Sequence, residues 1–381
     1  MKKTKVLLFG ESAGATNTFT LASLPGAPKL MRVAAMESGG GRDLATVAAA
    51  QTFQKIFLHN LNCSTPDVRI PPTYLPIFIT FPEYWLTRTV EPQHLACLRA
   101  ATPAQLQAAH AALPGGAVLG TSSALNYNGS RSAWGPLVDG AVIPTNPRAA
   151  GVKVPAILGS NANEGALFVL GTYGAAATSL GREDYDIFLT SNFGPQLAPR
   201  VNETYPLAAF NGSVAAAMST VVTAASYECP AHRGLLGAAS NRKDGGGVPV
   251  WTYRFAHAPT CAWYQAIPAE YVGVLGATHT AEIPFVFNMT RNLPPPDGAC
   301  AFSEAEVGLA RAMSRAWTNM AEFGTPDGAD DDAAWPAWTP DRSLGVVFGS
   351  APNATVVNYK ACEFWDRINE ALNDYAGKVT L

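Results

Sequence analysis

Apolar and polar residues follow one another along this chain in blocks that predict alternating strands and helices. Lys5–Phe9 is a short apolar run that stops at a glycine, as a buried strand does before a turn. Thr18–Leu24 then reads as a helix. Arg32–Met36 is a second buried strand, closed by Gly39-Gly40-Gly41. Ala45–Asn60 places Ala48, Phe53, Ile56 and Phe57 at helical spacing. Gln93–Arg99 and Ala104–Leu113 are also helical, the second started by Pro103. Val154–Leu158 and Val250–Phe255 are further buried strands. Phe302–Phe323 carries the strongest amphipathic pattern, and Ala361–Tyr375 repeats it near the end. Such alternation implies a parallel sheet with helices against it. Asn241–Gly247 and Gly324–Asp332, rich in Gly and charge, read as flexible connections.

Composition narrows the class. Of 381 residues, 48% are hydrophobic and 14% charged, which suits a large core and excludes a disordered chain. The net charge is −3, with no basic run, so nucleic acid is not an expected partner. No apolar stretch reaches membrane-spanning length. Six widely spaced cysteines include no C-x-x-C pair and no nearby His cluster. That pattern points away from zinc, predicts no metal or cofactor, and suits three disulfides. Six N-x-[ST] sequons, at Asn62, Asn128, Asn202, Asn211, Asn288 and Asn353, add to an expectation of an oxidising, secretory environment. Val6-Leu7-Leu8-Phe9 is nevertheless too short for the apolar region of a signal peptide.

The chemistry begins at Gly10-Glu11-Ser12-Ala13-Gly14, between a strand and a helix. A serine on so tight a turn stands clear of the sheet. The N–H of the next residue, here Ala13, can then face a developing oxyanion. A serine nucleophile needs a base, and the base needs an orienting acid. Among six histidines, His279 follows a Gly-containing turn and precedes Ile283–Phe287, the setting of a loop beyond a strand. His59, His94, His110, His232 and His257 lack that context. Two acids compete: Glu164, on the loop after Val154–Leu158, and Asp139, whose Asp-Gly pair is also a turn signal.

These segments resemble the type-B carboxylesterase and cholinesterase-like family of α/β-hydrolases. Val6–Gly14 is similar to its nucleophile strand and elbow, Leu158–Phe168 to its acid loop, and Gly276–Phe287 to its histidine loop. Pro136–Gly140, Trp317-Thr318-Asn319 and Trp335–Trp338 resemble its structural signatures. The resemblance implies one α/β-hydrolase domain over residues 1–381, and an acyl-enzyme mechanism on a small or lipid-like ester. Ser12 would attack, His279 take and return the proton, Glu164 orient the imidazole, and Ala13 donate to the oxyanion. It further implies bridges Cys63–Cys97 and Cys229–Cys362, which leaves Cys261–Cys300 as the third. Ser38 matches a serine near the family site and is either part of the acid network or a strand-end residue. Glu282 is either part of that network or a buried structural carboxylate.

Several expectations follow from departures. The elbow lies at the start of this chain, whereas the family places it after several strands, so the resemblance implies an α/β-hydrolase fold lacking its N-terminal strands, about two-thirds of the whole domain. Lys5–Phe9 would then be an exposed apolar edge. The chain would keep the triad geometry with little activity and marginal stability. Ser12 would lie within hydrogen-bond reach of His279, with no Gly-rich loop facing Ala13. Leu167 stands where cholinesterases carry an aromatic, and Ser130-Arg131-Ser132 where they carry bulky acyl-pocket residues, which favours a general carboxylesterase or lipase-like enzyme. Tyr74, Phe78, Phe81, Tyr84 and Trp85 suggest an apolar flap near the site, or packing on the domain body. The competing class is a non-catalytic adhesion or binding protein of the same fold.

Overall fold

A computed structural model describes residues 5–63, 92–113, 135–243, 247–264, 267–293, 300–328 and 335–378. The proposed flap, Ser130–Ser132 and parts of both Gly-rich connections lie outside these residues. The strands in chain order are β1 (Leu7–Glu11), β2 (Val33–Glu37), β3 (Ala45–Thr46), β4 (Leu137–Val138), β5 (Ala156–Asn161), β6 (Val250–Phe255), β7 (Arg291–Leu293), β8 (Cys300–Ala301), β9 (Leu344–Phe348) and β10 (Pro352–Val356). Six of them form the main sheet in the order β1-β2-β5-β6-β9-β10, parallel except for the final β9–β10 pair.

Parallel sheets need cover on both faces, and the side-chain alternation supplies it. Ala34, Met36 and Leu158 enter one core with Phe19, Val221, Leu235 and Trp365. Their neighbours Val33, Ala35 and Ile157 enter the opposite core with Phe255, Met313, Trp317 and Met320. β2 and β5 are buried throughout, whereas every residue of β1 is half-buried and its one partner among the described residues is β2. The expected edge position of the first strand is therefore observed.

The amphipathic run near residue 310 forms the helix Glu304–Phe323. Ser303 and Glu306 make a reciprocal capping box, and Gly324 closes the helix at φ 84°. Leu309, Ala310, Met313, Ala316, Trp317 and Met320 are buried at spacings of three and four. All three expected disulfides form, with Cα separations of 5.7 Å for Cys63–Cys97, 5.1 Å for Cys229–Cys362 and 5.8 Å for Cys261–Cys300. No helix among the described residues is long and apolar enough to cross a membrane. Asn241–Lys243, expected to be part of a flexible connection, instead ends the helix Cys229–Lys243.

Candidate active site

β1 ends at Glu11, and the helix Ala13–Ser23 starts two residues later. Ser12 makes the whole reversal itself, at φ 57° and ψ −118°, a conformation that costs a non-glycine residue about 1–3 kcal/mol. Its N–H is held by the Glu37 carbonyl at 2.9 Å. The first glycine of the motif is required by close approach: a Cβ on Gly10 would lie 2.6 Å from the Gly14 carbonyl carbon. Ala13 is exposed at the helix start, where the first N–H groups have no acceptor within the helix.

β5 leads to Glu164. The chain turns after Asn161, and Glu164 precedes the helix Gly165–Tyr173 with its side chain fully buried. Oε1 accepts from the Asn161 N–H at 2.6 Å, and Oε2 meets His279 Nδ1 at 2.7 Å. The histidine loop follows the helix Ala269–Leu275, which ends at Gly276. Besides the His279–Glu164 contact, four bonds tie these segments: Asn163 N–H to the Ala277 carbonyl (2.9 Å), Leu167 N–H to Thr278 Oγ1 (2.9 Å), Asn161 Nδ2 to the Thr278 carbonyl (2.7 Å) and Thr278 Oγ1 to the Glu164 carbonyl (3.4 Å). Trp263 Nε1 donates to Thr280 Oγ1 at 2.8 Å, anchoring the residue after the histidine.

Ser12, Glu164 and His279 thus come from three elements at one end of the sheet. One expected contact is absent, since no hydrogen bond joins Ser12 to His279 among the described residues. The second imidazole nitrogen, Nε2, instead lies 3.1 Å from Glu11 Oε1, without hydrogen-bond alignment. Burial pushes the Glu11 carboxyl up to about 9, aided by the negative charges of Glu164 and Glu37 and opposed by Arg42. Burial likewise raises Glu37 to about 8, against the hydrogen bond from Trp317 Nε1. Glu282 is fully buried and pushed well above the usual carboxylate range, first by burial and then by Glu11, Glu37 and Glu164. It accepts from Asn161 Nδ2, so it sits in the same network as the acid loop. Ser38 is buried at the end of β2, and its hydroxyl has no hydrogen-bond partner among the described residues.

The rival residues have other tasks. Asp139 is exposed and accepts from the Ala141 and Ile143 N–H groups at 2.9 Å each, stabilising its own turn. Those bonds hold its carboxyl below the ordinary value. His232 stacks on Tyr359 at 4.5 Å, and burial pushes it down to about 4. His257 meets Glu306 at 3.0 Å. Burial would raise the Glu306 carboxyl, but bonds from Thr260, His257 and Ser303 hold it at about 2. Sequence reasoning did not single out Glu11, Asn161, Thr278, Phe168 or Tyr227 as neighbours of the histidine. Only Glu11, inside the elbow motif, carried a signal that could have placed it there.

The sequence model of the carboxylesterase family matches residues 2–365. The chain belongs to the carboxylesterase family. This is a family of ester hydrolases, and the mostly parallel sheet covered by helices is consistent with its α/β-hydrolase fold. Among curated relatives, the fumonisin B1 esterase of Sphingopyxis macrogoltabida is 30% identical over 244 residues, 60% of this chain and 40% of that protein. Carboxylesterase 5A of Canis lupus familiaris is 36% identical over 122 residues, 31% and 20% of the two chains. The acetylcholinesterase of Gallus gallus is 28% identical over 134 residues, 34% and 16%. The matched part of this carboxylesterase-family chain therefore spans two-fifths or less of the length of these relatives.

Proposed function

We propose that the chain carries the centre of a serine carboxylic-ester hydrolase, with Ser12 as nucleophile, His279 as general base and then acid, and Glu164 as the orienting carboxylate. Glu164 accepts a hydrogen bond from Nδ1–H, which leaves the Nε2 lone pair to take a proton from the Ser12 hydroxyl. Ser12 Oγ attacks the ester carbonyl, and the Ala13 N–H donates to the resulting oxyanion. The alcohol departs with the proton held on His279. Water, deprotonated by the same imidazole, then releases the acid and frees Ser12. The observation that carries this reading is the buried 2.7 Å Nδ1–Oε2 contact in a loop pair bound to the strained elbow's end of the sheet.

The Nε2–Glu11 contact is consistent with this cycle. Glu11 directly precedes Ser12 in the chain, so the nitrogen not bound to Glu164 faces the elbow. The substrate class is a small-molecule or lipid-like carboxylic ester, with no metal or cofactor in the chemistry. Helix residues Ala166, Leu167 and Leu170 pack with Ile267, Val272 and Leu275, together with Trp263 and Tyr271, in an apolar cluster beside the acid loop. We also propose a secreted glycoprotein. The asparagines of four sequons, Asn62, Asn211, Asn288 and Asn353, are exposed, and the six cysteines are paired.

The test is hydrolysis of a chromogenic short-chain ester by the chain and by Ser12→Ala. Turnover that disappears in the variant supports the reading. Turnover that survives it, or binding of a partner with no turnover in either protein, would favour a non-catalytic member of the fold.

A further inference from the structure

The helix Val214–Thr223 does not join the helix Cys229–Lys243 directly. A π-helical turn, Ala224–Glu228, intervenes, and the Cys229 N–H reaches five residues back to the Ala224 carbonyl. The sequence gives a cause at Pro230. Proline has no N–H to offer the carbonyl four residues earlier, that of Ser226, and its ring crowds it. The widened turn releases that carbonyl, and Arg42 takes it with Nε at 3.2 Å and Nη2 at 2.8 Å. Arg42 reaches the turn because Gly41 can nest against it: at φ +76°, a Cβ there would lie 1.7 Å from the Pro230 carbonyl oxygen.

Turns of this kind often occur at functional sites, and this one carries Tyr227. The Tyr227 ring centroid lies 4.7 Å from that of His279 and 5.9 Å from that of Phe168, stacked within 15°. Phe168 is itself 5.1 Å from the imidazole. The Arg42 guanidinium lies 4.8 Å from the Tyr227 centroid, within cation–π range. Tyr227 is 2% exposed, and burial pushes its hydroxyl far above the ordinary phenol value, so the ring stays neutral.

We infer that Tyr227 is a positioning residue for His279, set against the imidazole by the π-helical turn that Pro230 imposes and Arg42 completes. The Nδ1 bond to Glu164 fixes one point of the ring and leaves rotation about that bond open. Two aromatic rings against the imidazole close that freedom. They also favour the positive charge the imidazole acquires in the proposed cycle, since a cation within about 6 Å of an aromatic ring is attracted to it. The inference rests on the proposed role of His279 for its catalytic consequence, but its structural content is independent of turnover.

The experiment compares Tyr227→Phe and Tyr227→Leu in the full chain, by steady-state ester hydrolysis and by NMR relaxation of carbon-13-labelled histidine rings, with His279→Gln to assign the signal. Tyr227→Phe should keep an ordered imidazole and near-normal kcat. Tyr227→Leu should mobilise the imidazole and lower kcat by roughly 10–100-fold, with KM changed far less. Pro230→Ala, which restores a donor for Ser226 and leaves Tyr227 unaltered, should shift the imidazole in the same direction. It serves as the deciding variant if Tyr227→Leu does not fold. An imidazole as ordered in Tyr227→Leu, or in Pro230→Ala, as in the unsubstituted chain would overturn the inference. If the unsubstituted chain shows no Ser12-dependent turnover, the proposed function fails while the relaxation data still decide the role of Tyr227.

Discussion

Ser12 and the Glu164–His279 pair meet at the same end of the sheet, but they are held there in different ways. Glu164 lies three residues beyond β5, a strand buried throughout, and its loop is bonded to the histidine loop at several points, with Asn161 bonded both to Glu164 and to the Thr278 carbonyl. Ser12 lies at the end of the half-buried edge strand, fixed by its own strained turn and by one bond to the Glu37 carbonyl. Glu164 and His279 are thus held by several tertiary bonds, whereas Ser12 is placed mainly by local geometry. This difference accounts for the imidazole being aligned to Glu164 while its other nitrogen faces Glu11 and not Ser12. The buried half of the site is complete by itself, and the edge half has more freedom.

The largest expected effects test whether the two halves act as one unit. Ser12→Ala should lower ester turnover by at least about 10⁴-fold, and Glu164→Gln by about 10⁴-fold through the wrong imidazole tautomer. The double variant should be no slower than Ser12→Ala alone, because a triad that has lost its nucleophile has nothing further to lose. Additive losses in kcat/KM would separate the halves.

Stability should show the contrast between edge and interior. Leu158→Ala, in buried β5, should cost about 2–5 kcal/mol in urea unfolding, the usual range for a core leucine. Leu8→Ala, in half-buried β1, should cost less than half as much. Equal costs would mean that β1 is as well packed as β5. Asn161→Ala should cost about 1–3 kcal/mol, because buried Glu282 Oε2 loses its donor, while the Thr278 carbonyl keeps the Ala281 N–H at 3.1 Å. It should also lower kcat, since it loosens the two loops; a stability loss with unchanged kcat would show that the remaining inter-loop bonds suffice.

The last effect concerns pH. Glu11 and Glu37 are raised from 4.5 to about 9 and about 8. Between those values and 4.5 the native state holds protons that the unfolded chain has released, so stability should fall as pH rises from about 5 to 9. Thermal unfolding across that range measures the slope. Glu37→Gln keeps an acceptor for Trp317 and removes one titrating group, so its slope should be shallower. An unchanged slope would assign the effect elsewhere.

Much of the sheet was legible from short apolar runs, and β1, β2, β5 and β6 fall within three residues of the expected positions. The helices Arg182–Thr204, Val214–Thr223 and Cys229–Lys243, and the strands β9 and β10, were not read. Val214–Thr223 is mostly small and apolar, so it lacks the polar face that reveals a helical period. β10 opens with Pro352 and is largely exposed, as an outer strand can be, so no buried run marks it.

What the sequence determined by itself was whatever depends on neighbours in the chain: the elbow around Ser12, the order of serine, glutamate and histidine, and the helix caps. These are turn and close-approach requirements, and glycine spacing records them directly. The tertiary structure decided who faces the imidazole. Glu164 is 115 residues from His279 in the chain, and Asn161 is 117 from Thr278. Contacts at such separations depend on sheet order, on the burial that raises Glu11 and Glu37, and on a widened turn that proline can cause but only its docking on Arg42 and Gly41 can aim at the site.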